Sequence, residues 1–77
     1  MSQRDVERAT TTEEFVATLR RLADALESGE RFRIQVLGHR FTVPAEVALS
    51  IEHEIEGSEE ELELQLKWTR AGEDEEE

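Results

Sequence analysis

From Arg31 to Trp68 the chain changes character at every step. Phe32, Ile34 and Val36 alternate with Arg31, Arg33 and Gln35, and Phe41 and Val43 with Arg40 and Thr42. Val47, Leu49, Ile51, His53 and Ile55 alternate with Ala48, Ser50, Glu52, Glu54 and Glu56. Leu62, Leu64, Leu66 and Trp68 alternate with Glu61, Glu63, Gln65 and Lys67. Side chains of a strand point to opposite faces in turn, so this pattern gives one apolar and one polar face. An antiparallel sheet with one covered and one wet face satisfies it.

The segment before the strands has a different period. Phe15, Leu19, Leu22, Ala23 and Leu26 recur at the spacing of one helical stripe, with Thr18, Arg20, Arg21, Asp24 and Glu27 mostly on the other side. Thr11 and Glu14 stand at capping-box spacing, where the Thr hydroxyl accepts the Glu14 N–H and the Glu14 carboxylate reaches back to the Thr11 N–H. Gly29 suits the position after the last turn, where a left-handed conformation is needed. The helix is predicted over 12–28.

The turns set an expected register. Gly38-His39 fits a type II′ turn, which places Val36 opposite Phe41, Ile34 opposite Val43 and Arg31 opposite Glu46. Pro44-Ala45-Glu46 makes the next turn. A four-residue loop at 57–60 sets Ile55 against Leu62, Ile51 against Leu66 and Leu49 against Trp68, with Glu54 facing Glu63 and Glu56 facing Glu61. The apolar sets coincide in both hairpins.

The expected fold is therefore α+β: a two-layer sandwich with one N-terminal helix packed on a four-stranded antiparallel meander sheet. A single domain spans 11–70, with a flexible N-terminus at 1–10 and an acidic, disordered tail at 71–77. In such a meander the strands at 31–37 and 61–69 are the edges.

Composition narrows what this domain can do. Leu, Ile, Val and Phe make up 19 of the 77 residues, above the roughly 20% below which highly charged chains stay disordered. The absence of cysteine excludes disulfides and thiolate metal sites. No apolar run approaches the ~20 residues of a membrane span, and there is no apolar signal core. A soluble, cytoplasmic protein is expected. Seventeen Glu and three Asp against eight Arg and one Lys give a net charge of −11, which argues against nucleic acid as the partner. An acidic chain that uses Arg in place of Lys is expected in salt-rich solvent. At ~1 M salt the Debye length is ~3 Å, so such a charge repels itself far less.

Two segments carry a resemblance. Leu22-Ala-Asp-Ala-Leu-Glu-Ser-Gly-Glu30 resembles the helix end of the amphi-Trp domain, and Glu61-Leu-Glu-Leu-Gln-Leu-Lys-Trp68 resembles its amphipathic strand and tryptophan. Val43-Pro-Ala-Glu-Val47 is similar to its turn. The resemblance covers residues 11–70. It implies a small domain common in haloarchaea and brings no reaction, cofactor or catalytic residue with it. Relatives often begin with a short apolar segment, for which residues 1–9 offer only Val6 after Met1.

The residues left to weigh are few. Trp68 ends the apolar face of the last strand, either packing the core edge or anchoring a partner. His53 lies near the end of the apolar face and His39 in a turn, and two separated histidines do not make a zinc site. The glutamates of 52–63 form a solvated face, since calcium takes 6–8 converging oxygens that a flat strand does not supply. Ser50 and Ser58 lack a base and an orienting acid. Arg31, Arg33 and Arg40 gather on the outer face of the first two strands, as charge balance or as a basic patch for an acidic partner. The sequence thus predicts a non-enzymatic interaction module without cofactor or metal, which meets a protein partner or a second copy through a sheet edge, Arg31–Leu37 being the better candidate. A small-ligand or cation site at the rim near Trp68 and His53 is the alternative.

Overall fold

The computed structural model describes residues 6–70. One helix, α1 (Thr12–Ser28), is followed by β1 (Phe32–Val36), β2 (His39–Val43), β3 (Ala48–Glu56) and β4 (Glu59–Lys67). The chain is α+β and its paired strands are antiparallel. The strands follow one another as hairpins, and the ladders run within each hairpin, giving two sheets of two strands. Where one continuous four-stranded sheet is expected, β2 instead ends at Val43, just before Pro44, which has no N–H to continue a ladder. The chain divides into two compact units, residues 1–45 and 46–77. The expected acidic tail at 71–77 and the first five residues lie outside the described part.

Helix α1 starts and stops for the expected reasons. Thr11 is extended and its Oγ1 accepts the Glu14 N–H at 3.1 Å. The other half of the capping box is not made. Glu14 Oε1 instead accepts the Thr10 hydroxyl at 2.9 Å and lies 3.7 Å from the Arg8 guanidinium. At the C-terminus Gly29 takes φ 68, and the Gly29 and Glu30 N–H groups return to the carbonyls of Leu26 and Ala25. These two bonds make a Schellman motif, which needs the left-handed residue that Gly29 supplies.

The core of the first unit is small. Phe32 and Val43, each 7% exposed, face one another across the β1–β2 ladder. Thr18, Leu22 and Ala25 are the half-buried residues of the helix, whereas Phe15, Val16, Leu19 and Leu26 remain exposed. The covered stripe is thus narrower than the expected one and turned toward Thr18. Two five-residue strands present a surface about 17 Å long, and a 17-residue helix runs about 25 Å. Part of its apolar stripe, Phe15, Val16, Leu19 and Leu26, extends beyond the strands and stays exposed.

Both hairpins are shifted by two residues from the expected register. In the first, Phe32 pairs with Val43, Ile34 with Phe41 and Val36 with His39. The turn is Leu37-Gly38, with φ 48 and 79, the two positive values of a type I′ turn. Arg31 consequently lies outside the ladder and does not face Glu46. In the second, Leu49 pairs with Leu66, Ile51 with Leu64 and His53 with Leu62. Gly57-Ser58 closes it, with φ 62 at Gly57, as in a type II′ turn. Trp68 falls one residue beyond β4 and is not paired with Leu49. Two-residue loops match the strand twist better than the looser loop expected at 57–60.

Leu37 is exposed and the one described non-glycine residue with positive φ. Leu37→Asn keeps the turn and removes much of that strain, because Asn tolerates the left-handed region. Thermal unfolding followed by circular dichroism should show a gain of about 0.5–1 kcal/mol. A lower midpoint would contradict the assignment of the turn.

Candidate functional site

The first unit carries a groove along β1. It has a volume of about 370 Å³ and is walled by Arg8, Arg21, Arg33 and Arg40, with Thr18 and Gln35. Ile34 and Val36 complete the strand side. Four of the chain's eight arginines therefore converge on one surface of a molecule whose net charge is −11. No carboxylate is among the described residues that wall it. The volume reaches the lower end of the ~300–1,000 Å³ range of ligand sites, more than so short a chain is expected to offer.

Each arginine is placed by a different element. Arg33 stands in the middle of β1 opposite Thr42, and Arg40 in β2 opposite Gln35. They are diagonal neighbours on the same face of the ladder, within reach of one ligand. Arg21 comes from the third turn of α1. Its guanidinium carbon lies 4.9 Å from the centre of the Phe32 ring, and its Nη2 donates to the Arg33 carbonyl at 2.9 Å. A cation over an aromatic face and a hydrogen bond fix one orientation of an otherwise flexible side chain. Arg8 precedes the helix and is held near Glu14. Arg31 precedes β1 and is not part of the wall.

The same contact shows which way β1 faces. Bonded and non-bonded pairs alternate along an antiparallel ladder, and the pair flanking a two-residue turn, Val36 and His39, is a bonded one. Ile34 and Phe32 then bond to β2, while Arg33 and Gln35 turn their amide groups away from it. The Arg33 carbonyl indeed points outward, where Arg21 meets it.

The second unit holds the acids. Glu52 faces Glu63, Glu54 faces Glu61 and Glu56 faces Glu59, three like-charge rungs on one face where two are expected. Directly opposed like charges oppose pairing. The Glu63 carboxyl is held above its ordinary range, first by a hydrogen bond shared with Glu52. Partial desolvation and the charges of Glu61, Glu52 and Glu54 add to this. Gln65 donates to Glu63 at 3.2 Å and accepts the Ser50 hydroxyl at 3.2 Å, so the face ends in a polar chain. No three ligating groups come together for a metal among the described residues. The opposite face is apolar and open, with Ile51 75% and Leu62 69% exposed.

His53 and Trp68 are not brought together. His53 lies opposite Leu62 and its Nε2 is 2.8 Å from Glu60 Oε2. Trp68 is half-buried six residues beyond Leu62, roughly 20 Å along the strand. His39 stacks on Phe41, with ring centres 6.0 Å apart. Of the five residues singled out from the sequence, Arg33 and Arg40 share a site. Arg21 and Arg8 belong with them and were not singled out. The signal for Arg21 is its spacing of three from Thr18 and four from Ala25 along the covered side of α1. Arg8 stands in an irregular segment and has no such signal.

The acidic face sets a pH dependence. A carboxyl with a raised folded-state pKa destabilises the fold once ionised, so its share of stability is present at low pH. That share is lost as pH rises through the raised value. Lowering the pH from 7 toward 5 should therefore stabilise the β3–β4 hairpin, and ~2 M KCl at pH 7 should do the same by screening. Far-UV circular dichroism during urea unfolding reads this. Glu63→Gln should flatten the pH response, and an unchanged slope would show that the rungs do not carry it.

No described helix is long and apolar enough to cross a membrane. No curated protein and no solved structure matches the chain. The model of the Amphi-Trp domain matches residues 2–77, nearly the whole sequence. Helix, hairpins and closing tryptophan thus stand in a chain that belongs to the Amphi-Trp domain family.

Proposed function

We propose that this chain is a binding module and not a catalyst, and that it meets a protein partner through the outer edge of β1. The observation that carries the reading is the open edge itself. Arg33 and Gln35 turn their N–H and C=O groups away from β2, the Arg33 carbonyl accepting only from the Arg21 side chain, and among the described residues the strand has no second neighbour in its sheet. Such groups are a template for another strand. The groove that follows the edge gives an added segment a place to lie.

The chemistry of the wall favours binding over turnover. Arginine stays protonated at all ordinary pH, so it neither takes nor gives a proton near neutrality. The remaining wall residues, Thr18, Ile34, Gln35 and Val36, include no group that titrates there. A general acid–base site needs one. The alternative site near Trp68 and His53 has less support, because the two side chains are far apart on the hairpin. The acid-rich surface and the use of Arg fit a module that works in salt-rich solvent, inside the cell.

Gln35→Pro tests the edge. It removes an outward N–H that the β1–β2 ladder does not use, so circular dichroism should stay the same. The tagged chain is purified at the salt of its host beside this variant. A protein species, or a second copy, should be recovered in fixed ratio with the unmodified chain and be lost from the variant. Recovery of the chain alone, or of the same partner with both, would refute the edge as the contact.

A further inference from the structure

We infer that the groove beside β1 receives an acidic, extended protein segment, whose backbone lies along Gln35 and whose carboxylates meet Arg21, Arg33 and Arg40. The inference rests on the edge reading above and names the chemistry of the partner.

The shape of the site argues for an extended ligand. Its strand wall is four consecutive residues, Arg33–Val36, a length of about 13 Å. A compact anion would touch only part of such a wall. An added strand follows all of it and turns alternate side chains to one face, about 7 Å apart. Arg33 and Arg40 lie on one face of the ladder as diagonal neighbours. Acidic residues at alternate positions of the partner would meet them in succession.

The placement of Arg21 argues for acidity. Its guanidinium occupies the Arg33 carbonyl, one of the outward groups that an added strand would use. Charged side chains at an edge are a common block to strand addition. A neutral segment has nothing to draw the guanidinium away. A carboxylate does, because a charge-assisted, two-pronged bond to arginine is roughly twice as strong as a bond between neutral groups. Arg21 can turn to the incoming acid while its stem stays on α1, which frees the carbonyl for the partner backbone. The block is thus selective for segments without charge.

The rest of the chain sharpens the choice. Four of the nine Lys and Arg side chains line this one groove, so in a chain of net charge −11 it is a local basic patch. A field of one sign with a local opposite patch orients the encounter. Salt weakens the long-range part, and pairs inside the groove are screened less than exposed ones.

The test uses the full chain and three probes in 0.2 M KCl. Two are fluorescein-labelled octapeptides of alternating Val and Glu or alternating Val and Gln, read by anisotropy. The third is inorganic tripolyphosphate, read by calorimetry. The Glu peptide should bind at least tenfold more tightly than the Gln peptide. Arg33→Gln with Arg40→Gln should remove most of that difference, and Arg33→Lys with Arg40→Lys should restore part of it. Gln35→Pro should weaken the Glu peptide while leaving circular dichroism unchanged. Equal binding of both peptides, each lost with Gln35→Pro, would overturn the acidic class and leave the edge reading standing. Binding of tripolyphosphate alone, indifferent to Gln35→Pro, would mark a compact-anion site and overturn both. Binding of none of the three would overturn the inference, and the purification with Gln35→Pro would still judge the edge on its own.

Discussion

The guanidinium of Arg21 lies over the ring of Phe32 and bonds to the next carbonyl of the same strand. Among the described residues Phe32 is one of the two buried apolar residues, and its partner across the ladder is the other. The cation therefore seals the open side of a core only two residues deep. It also joins helix to strand where no backbone bond does so. A cation on a desolvated ring contributes about 2 kcal/mol, and about 0.5–1 where water reaches it. In a domain of this size, with total stability of a few kcal/mol, either value matters. The residue that holds the first unit together is thus the residue that faces the groove.

The second unit depends on a balance of another kind. A two-stranded hairpin alone is marginal in water. Here its polar face carries three rungs of opposed glutamates, and its apolar face is largely open. A side-chain hydrogen bond with Glu52 is the first cause of the upward shift of the Glu63 carboxyl. Solvent ions screen the opposed charges. The hairpin is therefore the part of the fold whose stability answers most to pH and salt, and the first unit, built on Phe32 and Val43, answers least.

Much of this was legible in the residues. The helix bounds follow from Thr11 and Gly29, and the strands from strict alternation. The register was not, and the reason is the period itself. Sliding one strand by two residues preserves the alternation, so Ile34 can face Val43 or Phe41 with equal apolar matching. Only turn geometry separates the two. In the first hairpin both turns have two residues, and the observed one places Leu37, an unfavourable residue there, at positive φ. The site was half legible. Arg33 and Arg40 follow from alternation in two adjacent strands. Arg21 was assigned to the wet side because Leu19, Leu22 and Leu26 dominate the helical pattern. The helix instead rests on Thr18, Leu22 and Ala25, which brings Arg21 round to the strand.

That rotation of α1 has a functional consequence. With the helix seated on its leucine stripe, Arg21 would face solvent, Phe32 would lie under an aliphatic side chain, and β1 would keep a plain open edge. Any strand could then pair with it, including the edge of another copy, which is the usual hazard of a short exposed strand. Seating the helix on Thr18, Leu22 and Ala25 leaves Leu19 and Leu26 exposed. In return it places a charge on the Arg33 carbonyl. Burial of one more leucine is worth about 1.5–3 kcal/mol, so this arrangement gives up stability. On the proposed reading, what it gains is a strand edge closed to neutral segments and open to those that bring a carboxylate for Arg21.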